Sequence, residues 1–575
     1  MTAEAAGGLR CRLFAGRITN RGELEAALQA EGCGAGDGSD GDLLGAVLDA
    51  WGPPGLDRVE GGFAYAAGRA GGGTILARDP LALRPLYWTA SGDRIEAASR
   101  IEPLLAHAGR MPDERAALEW LLYRYVMPPA TGFAGVRALP QGCALELPPG
   151  ATAGQPVPFA DGAALAEPAR YRELDRAGEA AVLDELERRL LLGVERACAG
   201  RARVGVLLSG GIDSALLAAM ARRFTEVTAF TVAMAGGPGL DESEAARATA
   251  AALGVPIEVL PVSPTEYARS VAAATREAEA PLHHVTNVGF NVALGPLLAR
   301  AAAMGFDRVL AGDYAGTVLG APTGPASLRW LLPIGSVLRR APADVAPALG
   351  KLGLAAAGLP VTVMEFAQSV PIGLRLADGG RRARILAAAE ELSGFVPGGL
   401  ARRMRAARIA NLAVWFPRYN DRTARLGDTH GAEIVTPFVD RQLLTFVLYL
   451  PLRYLVRREG WLAARPTDKW ALRQVARRQL GPIRLYRRGA PWDTAQRVFV
   501  APLADELLTS DGFCVGLFGL GAEDLERELP VWRRDVNALA KLVHLEVWGR
   551  VWFMGQCPDE LGQRLAAAAG PNPGA

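Results

Sequence analysis

The sequence predicts an α/β protein whose central part is a doubly wound parallel sheet. Between residues 204 and 313, short apolar runs typical of buried strands alternate with helical patterns, and a glycine-rich loop follows the first run. This alternation predicts parallel strands covered by helices on both faces. The chain has 575 residues, half of them apolar, so it is long enough for two or more domains.

The first part of the chain predicts short strands and helices. Apolar or alternating runs bounded by glycines are typical of strands, and they lie at residues 11–18, 61–67 and 74–79. A short helix is predicted at residues 23–31. Residues 148–168 are rich in Gly, Pro and Ala and have no periodicity, which favours a linker. We therefore expect one domain at residues 1–165 and a second at residues 175–575.

The second domain is expected to begin with a long amphipathic helix from Glu179, because apolar residues recur at helical spacing. Strands are predicted at residues 204–208, 227–232, 257–260 and 308–313, and helices at residues 215–221, 242–253 and 292–304. From about residue 336 the pattern becomes mostly helical. Since the strands are parallel, the loops after residues 208 and 311 are expected at one edge of the sheet, where ligands bind.

The segment Leu208-Ser209-Gly210-Gly211-Ile212-Asp213-Ser214 has the composition of an anion-binding loop at a helix N-terminus. Glycines let the backbone approach an anion closely, and the free N–H groups of the helix bind it. The hydroxyls add donors, and Asp213 is the best candidate to hold a magnesium ion against phosphates. The Lys-Ser or Lys-Thr ending of a P-loop is missing. The segment resembles instead the pyrophosphate loop of the ATP pyrophosphatases, which split ATP into AMP and pyrophosphate.

Composition argues against several classes of function. The net charge is +2, from 63 basic and 61 acidic residues, which does not suggest a nucleic-acid or membrane-surface partner. The six cysteines are far apart and form no CxxC pair, so we expect no zinc site and a reducing compartment. No apolar run in the sequence is long enough to cross a bilayer. We expect a cytoplasmic protein.

Segments along most of the chain resemble the asparagine synthetase family. Residues 13–20 resemble the family segment FNGEIYN, and further family-like segments lie at 61–64, 77–79, 84–87, 133–136, 241–243, 430–433, 437–440 and 468–473. The resemblance implies a glutaminase-like α+β domain of the Ntn type. It also implies a following ATP-pyrophosphatase domain, similar to the adenine nucleotide α-hydrolases, with a helical C-terminal part.

The first domain departs from the family at the residues that hydrolyse glutamine. Where family members carry a catalytic cysteine this chain has Thr2, and the Asn-Gly-Glu of the FNGEIYN segment has become Ala15-Gly16-Arg17. Cys11 falls inside a predicted strand, which is typical of a buried small apolar residue. We therefore expect a degenerate domain that does not hydrolyse glutamine and serves as a structural or substrate-docking module.

The resemblance implies ATP and Mg²⁺ as cofactors. The implied ATP-binding residues are Leu208, Ser209, Gly210, Gly211, Ile212, Asp213, Ser214, Val232, through its backbone beside the adenine, and Gly312. Residues 312–317 stand where the family has Gly-Glu-Gly-Ser-Asp-Glu, so Asp313 falls on the glutamate and Gly316 on the second magnesium aspartate. Asp213 is the first expected metal ligand, and either Asp313 or Asp241 replaces the lost one.

Catalysis of acyl transfer also needs positive charge beside the transition state. Lys469 is either a cation near the phosphates or a solvated helix lysine. Arg488 lies nearest the position of the family's catalytic lysine, and an arginine there stabilises an oxyanion but cannot give up a proton. By position alone, Asp421 and Glu433 are candidates to accept the amine proton, and Asp313 completes the catalytic candidates.

A synthetase without an ammonia supply needs another nucleophile. The β-lactam synthetases and the lasso-peptide cyclases, both within this family, adenylate a carboxylate that an amine of the same molecule attacks. We favour ring closure of a lasso precursor peptide, with a leader-peptide protease and a recognition protein as partners. One alternative is an enzyme that acts on a small-molecule carboxylate, similar to a β-lactam synthetase or to an asparagine synthetase supplied with ammonia. The other alternative is a non-catalytic ATP-binding partner protein.

Overall fold

The computed structural model describes residues 10–34, 38–69, 72–91, 94–160, 165–235, 240–282, 289–320, 381–457, 467–481 and 492–569. Arg488 and the beginning of the predicted helical part, up to residue 380, lie outside these ranges. Among the described helices, none combines the length and the apolar character that a membrane crossing requires.

The N-terminal region contains two antiparallel sheets and four α-helices within residues 10–160. Its strands are β1 (Arg10–Ile18), β2 (Gly61–Gly68), β3 (Thr74–Arg78), β4 (Tyr87–Ser91), β5 (Arg94–Ala98), β6 (Arg137–Ala138), β7 (Cys143–Leu147) and β8 (Val157–Pro158). Its helices are α1 (Arg21–Ala30), α2 (Asp40–Trp51), α3 (Leu105–Ala108) and α4 (Glu114–Tyr123). The sheet orders are β1-β2-β3-β7-β8 and β5-β4-β6. The predicted strands and the first predicted helix are confirmed.

Alternating side chains of β2 give this region a core on each face of its first sheet, because successive residues of a strand point to opposite faces. Phe63 and Tyr65 pack into one cluster with Leu24 of α1. Ala66 packs into the cluster on the other face, which contains Trp88 of β4. Helices therefore cover one face of the first sheet and the second sheet covers the other.

The central region contains a five-stranded sheet in which all neighbouring strands are parallel. Its strands are β9 (Arg203–Leu207), β10 (Glu226–Met234), β11 (Ile257–Val262), β12 (Arg308–Leu310) and β13 (Glu433–Val435). The order β11-β10-β9-β12-β13 runs outward from β9 in both directions, so the predicted doubly wound sheet is confirmed. The direction changes between β9 and β12, which is where such sheets bind ligands.

Helices cover both faces of this sheet. They are α5 (Pro168–Arg176), α6 (Glu179–Cys198), α7 (Ile212–Ala221), α8 (Ser243–Leu253), α9 (Pro264–Ala278), α10 (Gly289–Ala303) and α11 (Ala315–Leu319). Successive residues of β9 enter different cores, since Val206 belongs to one cluster and Leu207 to the other. The four helices predicted here are confirmed, with shifted ends. The strand predicted at residues 308–313 ends earlier, at Leu310.

The described part of the chain after residue 380 is mostly helical, as predicted. The helices are α12 (Arg381–Glu391), α13 (Gly399–His430), α14 (Arg441–Val447), α15 (Leu452–Leu455), α16 (Trp470–Leu480), α17 (Trp492–Ala495), α18 (Ala504–Leu507), α19 (Phe513–Phe518), α20 (Ala522–Arg534), α21 (Val536–Trp552) and α22 (Pro558–Ala568). A short antiparallel pair, β14 (Val456–Arg457) and β15 (Thr467–Asp468), precedes α16.

Helix α13, with 32 residues, connects the N-terminal region to the parallel sheet. Buried Arg78 of β3 forms an ion pair with Asp421 of α13, and the hydroxyl of Tyr87 donates to the same carboxylate at 3.3 Å. Arg84 pairs with Glu433 at the start of β13, at 2.6 Å. Buried and half-buried ion pairs therefore attach the N-terminal region to the parallel-sheet region.

Candidate functional site

Two loops meet at the carboxyl edge of the parallel sheet, one after β9 and one after the neighbouring strand β12. Gly312, in the second loop, lies directly against the first. A Cβ atom at Gly312 would lie 3.1 Å from the backbone nitrogen of Ser214 and 3.3 Å from Cβ of Asp213. A larger residue at this position would press on the start of α7, so glycine allows the two loops to approach.

The loop after β9 is held in shape by its own hydroxyls. The N–H of Ser209 donates to Oγ of Ser214 at 3.2 Å, and the N–H of Gly211 donates to Oγ of Ser209 at 3.4 Å. Gly210 has a φ of +73°, and a Cβ atom there would lie 2.7 Å from Cβ of Ala245, so only glycine fits. The loop leads into α7, whose first N–H groups have no partner within the helix and are suited to bind an anion.

Lys469, the residue immediately before α16, reaches this loop. Its Nζ lies 2.5 Å from Oδ2 of Asp213, and the two side chains are 17% and 24% exposed. Oδ1 of Asp213 is buried and has no hydrogen-bond partner among the described residues. The carboxylate therefore has one oxygen held by the lysine and one oxygen that can accept a further cation or donor.

Two residues beside the loop have left-handed backbone conformations. Lys469 has a φ of +54° and Tyr314 has a φ of +68°, and they immediately precede α16 and α11. This conformation costs a non-glycine residue about 1–2 kcal/mol, and it persists only where the surrounding structure fixes it. The fold therefore holds both residues at the site against their intrinsic preference.

Asp313 follows β12 and faces Tyr419 of α13, whose hydroxyl donates to Oδ2 of the carboxylate at 2.6 Å. Burial raises the pKa of Asp313, and the nearby charge of Asp213 raises it further, while the hydrogen bond from Tyr419 lowers it. A cation between the two carboxylates would offset their repulsion.

The donors at this site fit one magnesium ion. Carboxylate oxygens are the ligands that magnesium prefers, and Asp213 presents a buried oxygen without a partner next to Asp313. Among the described residues, no group of three or more His, Cys, Asp and Glu side chains could hold a metal ion. The phosphates of a bound nucleotide would therefore have to complete the coordination shell.

The edge of β10 extends beyond the loop. β9 ends opposite Phe230 of β10, whereas β10 continues to Met234. Val232 lies in this extension, where it pairs on one side with Leu260 of β11. Val232 therefore lies beyond the end of β9 at the edge of the sheet that carries the loop, and its contact with adenine stays a prediction.

Asp241, the other candidate for a replacement metal ligand, has both carboxylate oxygens engaged. Oδ1 accepts from the N–H of Ser243 at 2.9 Å and from the N–H of Met234 at 3.4 Å, and Oδ2 accepts from the hydroxyl of Ser243 at 2.9 Å. These bonds fix the start of α8. Of the two alternatives that the sequence leaves open, Asp313 is the one whose carboxylate faces the loop.

Glu433 is not at the loop, contrary to its expected role as a proton acceptor. It begins β13 and lies opposite Arg308, which begins β12, so it is at the amino edge of the sheet. Four residues, each rising about 3.3 Å along the strand, separate Glu433 from the level of the loop. The distance along the strand is therefore about 13 Å. Its carboxylate is paired with Arg84 at 2.6 Å and with Arg308 at 3.3 Å. Glu433 therefore joins the N-terminal region to the sheet.

Asp421 also points away from the loop. It lies two residues after Tyr419, and side chains two apart on a helix point to nearly opposite sides. Burial raises the pKa of Asp421, and the charge of Arg78 lowers it. Its oxygens are already bound by Arg78 and by the hydroxyl of Tyr87. A carboxylate engaged in this way is suited to holding α13 in place rather than to accepting a proton from a substrate.

An aromatic group beside Asp313 was not predicted from the sequence. The hydroxyl of Tyr314 donates to Oδ1 of Asn420 at 3.0 Å, and the ring of Tyr314 packs edge-on against that of Tyr419, with 5.5 Å between centroids. Tyr314 stands inside a loop that the sequence analysis singled out, so it could have been considered. Nothing local in the sequence distinguishes Tyr419 from other residues of a long helix.

One predicted site residue cannot be placed. Arg488 lies outside the described residues. Cys11 lies in β1, in the N-terminal region, as the sequence predicted.

The chain matches two family models. A model described as asparagine synthase matches residues 185–511, which include both loops and Lys469. A model described as a glutamine amidotransferase domain matches residues 6–156.

Named relatives are similar at low identity. An "Asparagine synthetase [glutamine-hydrolyzing] 1" of Bacillus subtilis is 27% identical over 260 residues, covering 44% of this chain and 39% of that protein. A "Putative asparagine synthetase [glutamine-hydrolyzing]" of Mycobacterium bovis is 26% identical over 503 residues, covering 80% of this chain and 71% of that protein. One of Mycobacterium tuberculosis has the same values. The chain thus spans about two fifths of the Bacillus protein's length.

A solved structure titled as the allosteric regulatory enzyme of purine biosynthesis aligns with 45% of this chain and 61% of its own, at 14% identity and a TM-score of 0.21. This score is too low for any structural conclusion about this chain.

Proposed function

The chain belongs to the asparagine synthase family, and we propose that it is an ATP-dependent ligase that forms an amide bond. In the first step a carboxylate oxygen attacks the α-phosphate of ATP, and pyrophosphate leaves. In the second step an amine attacks the acyl carbon, AMP leaves, and the amine loses a proton. The observation that carries this proposal is the glycine loop at the switch point of the sheet, with Asp213 and Lys469 against it.

Each part of the site has a task in the first step. The N–H groups at the start of α7 and the two serine hydroxyls suit a pyrophosphate group. Asp213 and Asp313 suit a magnesium ion that offsets the negative charge of the phosphates. Lys469 supplies a fixed positive charge that needs no rearrangement when negative charge develops.

We propose that the amine does not come from glutamine. The support is Ala15-Gly16-Arg17, which stands where the family has the Asn-Gly-Glu that helps to bind glutamine. The first domain, which we place at residues 1–165, then serves to hold α13 and to dock substrate.

We propose that the amine and the carboxylate belong to one molecule, a lasso precursor peptide. The support is the resemblance of residues 468–473 to the ring-closing members of the family and the large helical part after residue 380, which offers surface for a peptide. A leader-peptide protease and a recognition protein would then deliver the substrate.

The experiment is ATP–pyrophosphate exchange in the presence of Mg²⁺, with a panel of carboxylates that includes candidate precursor peptides, aspartate and small amino-acid derivatives. Exchange with a peptide, followed by a loss of 18 Da in the product by mass spectrometry, supports ring closure, since one water is removed. If a small carboxylate supported exchange, and product formed only when ammonium was added, an asparagine synthetase-like reaction would be favoured. Absence of exchange with every carboxylate contradicts the ligase proposal and leaves the non-catalytic ATP-binding partner.

The chain is expected to release no glutamate from glutamine, whether or not ATP is present, because Ala15 and Arg17 replace the Asn and Glu that help to bind glutamine in the family. Glutamate is measured by a coupled dehydrogenase assay against a blank without protein. Cys11→Ala is the control, and it tests whether the thiol of Cys11, in β1, acts as the nucleophile. Glutamate release that Cys11→Ala abolishes would show that this cysteine had taken over the role, and the proposal of a degenerate glutaminase domain would be wrong.

A further inference from the structure

A cavity of about 80 Å³ lies where the N-terminal region meets α9, α13 and α21. Its wall includes Trp120 of α4, Glu279 directly after α9, Arg422 and Arg425 of α13, and Trp548 of α21. About 10–15 Å³ of such a volume is enough for one water molecule, so a small ion and water fit together. The two loops of the candidate site do not contribute to the described wall. The cavity is therefore separate from the proposed nucleotide site.

Cationic side chains outnumber carboxylates at this wall. Arg124, Arg422 and Arg425 line the cavity together with Glu279 and Asp421. Among the described residues of the wall, three guanidinium groups and two carboxylates leave one excess positive charge. All five residues are more than nine-tenths buried, and a buried charge without a counter-charge is costly. The excess charge therefore needs a partner.

Both carboxylates are already bound by groups other than these arginines. Asp421 forms an ion pair with Arg78, which does not line the cavity. Glu279 accepts two backbone N–H groups, at 2.8 Å and 2.9 Å, and lies 3.8 Å from Nε of Arg425. The two carboxylates are therefore shared with other donors and do not neutralise the wall.

Three residues of the wall each have a buried N–H group without an acceptor among the described residues. These groups are Nε of Arg422, Nε of Arg425 and Nε1 of Trp548. The Nη2 of Arg422 donates to the carbonyl oxygens of Phe290 at 3.2 Å and of Asn291 at 2.7 Å, which carry no full charge. Because buried donors in proteins are normally paired, an acceptor bound in the cavity would satisfy these groups.

Other titratable side chains nearby do not supply the missing negative charge. Burial raises the pKa of Tyr87 and the pKa of Tyr125, which both line the cavity, so both phenols stay protonated. On α21, burial and then the positive charges of Arg124 and Arg422 lower the pKa of His544 to about 3. The electrostatic potential beside the cavity is therefore positive.

We propose that this cavity is a binding site for a small inorganic anion of the size and charge of chloride, held by Arg422, Arg425 and Trp548. A water molecule can accept the same hydrogen bonds, but it leaves the excess positive charge without a partner. The anion also joins the ends of α4 and α9 to α13 and α21, so it stabilises the contact between the N-terminal region and the rest of the chain. This inference is independent of the proposed ligase function.

The main alternative is that the arginines serve only to cap helices. Arg425 donates to the carbonyl oxygen of Ala278, the last residue of α9, at 2.6 Å, and the negative end of a helix attracts a cation. Arg422 instead contacts the first turn of α10, where the helix dipole is positive. Capping therefore explains Arg425 but leaves Arg422 without a counter-charge. It predicts no difference between anions.

The test measures thermal unfolding of the full chain in sodium chloride and in sodium gluconate at equal ionic strength. Gluconate is too large for a cavity of this volume, so only chloride can bind there. We expect the unfolding midpoint to be about 2–5 °C higher in chloride, because a ligand that binds only the folded state stabilises it. Crystals grown in bromide are expected to show an anomalous-diffraction peak in the cavity.

Two variants and a matched control connect the effect to this cavity. Trp548→Phe removes one donor and is expected to weaken chloride binding about tenfold. Arg422→Met removes the excess charge and is expected to abolish the difference between the two salts. Trp552→Phe is the control, because Trp552 lies on the same helix and its Nε1 is also buried without an acceptor among the described residues, but it does not line the cavity. This control should retain the full difference.

Equal midpoints in the two salts for the wild type, or bromide crystals without an anomalous peak in the cavity, would overturn the inference. A chloride effect that Arg422→Met retains at full size would place the anion elsewhere and would overturn it too. Neither measurement depends on pyrophosphate exchange, so a negative result here leaves the ligase proposal intact.

Discussion

Replacement of Asp213 by asparagine is expected to lower the rate of ATP–pyrophosphate exchange about a thousandfold, or about 4 kcal/mol in activation free energy. The asparagine keeps the shape of the side chain but loses the charge. It thereby removes a ligand for magnesium and leaves Lys469 without the carboxylate that it contacts at 2.5 Å. Metal-assisted stabilisation of the leaving pyrophosphate is worth several kcal/mol. We therefore expect the substitution to lower the rate of pyrophosphate exchange.

The measurement uses the carboxylate that supports exchange in the wild type, at saturating Mg²⁺. Asp184→Asn is the matched control, since Asp184 is 67% exposed on α6 and, among the described residues, pairs with the surface arginine Arg478. Thermal unfolding of both variants shows whether the fold is intact. If Asp213→Asn exchanged pyrophosphate at near the wild-type rate, the loop after β9 would not be the nucleotide site.

The loop could be predicted from the sequence because its function depends on local residues. A buried strand, two glycines and a helix start are contiguous in the chain, so Ser209 to Ser214 need no long-range contact to be recognised. The same reasoning placed Gly312 at the neighbouring strand end, because parallel strands end at one edge. The contact between Gly312 and Ser214 then follows from the strand order.

The structure places Asp421 and Glu433 away from the loop, and the sequence could not show this. Their place depends on which side of a helix or which end of a strand they occupy. Tyr419 faces Asp313, and Asp421, only two residues later, faces Arg78 in the N-terminal region. The helical pattern of this segment does not reveal which side faces which partner. Glu433 begins a three-residue strand, too short to be recognised by alternation.

The ion pair between Lys469 and Asp213 likewise could not be derived from the sequence, because 256 residues separate the two. The sequence left open whether Lys469 is a cation near the phosphates or a solvated helix lysine. The contact depends on how α16 packs beside α7, and on a left-handed backbone at Lys469 that no sequence pattern indicates.

Arg78→Met is expected to destabilise the protein by about 3–5 kcal/mol, since it leaves the buried carboxylate of Asp421 without its main counter-charge. Arg78 also donates to the carbonyl oxygens of Arg84 at 2.8 Å and Leu139 at 3.0 Å. Its loss therefore affects both the N-terminal region and its contact with α13. The midpoint of the calorimetric transition that contains the N-terminal region should fall by about 10 °C.

The double variant Arg78→Met with Asp421→Leu is expected to regain most of this loss, because two apolar side chains of similar volume can replace a buried ion pair at little net cost. Asp428→Asn is the matched control on the same helix. Asp428 is 46% exposed in its pair with Arg84, so its loss should cost less than about 1 kcal/mol.

The same experiment separates the structural role of Asp421 from a catalytic one. A structural carboxylate predicts that Asp421→Leu lowers the unfolding temperature, and that the double variant recovers both stability and product formation. A proton acceptor predicts the reverse: the double variant would be stable but would form adenylate without product, because no base remains for the amine. Arg78 and Tyr87 of the N-terminal region already bind both oxygens of Asp421, so we expect the first result. If the double variant recovered stability but not product formation, Asp421 would be the proton acceptor.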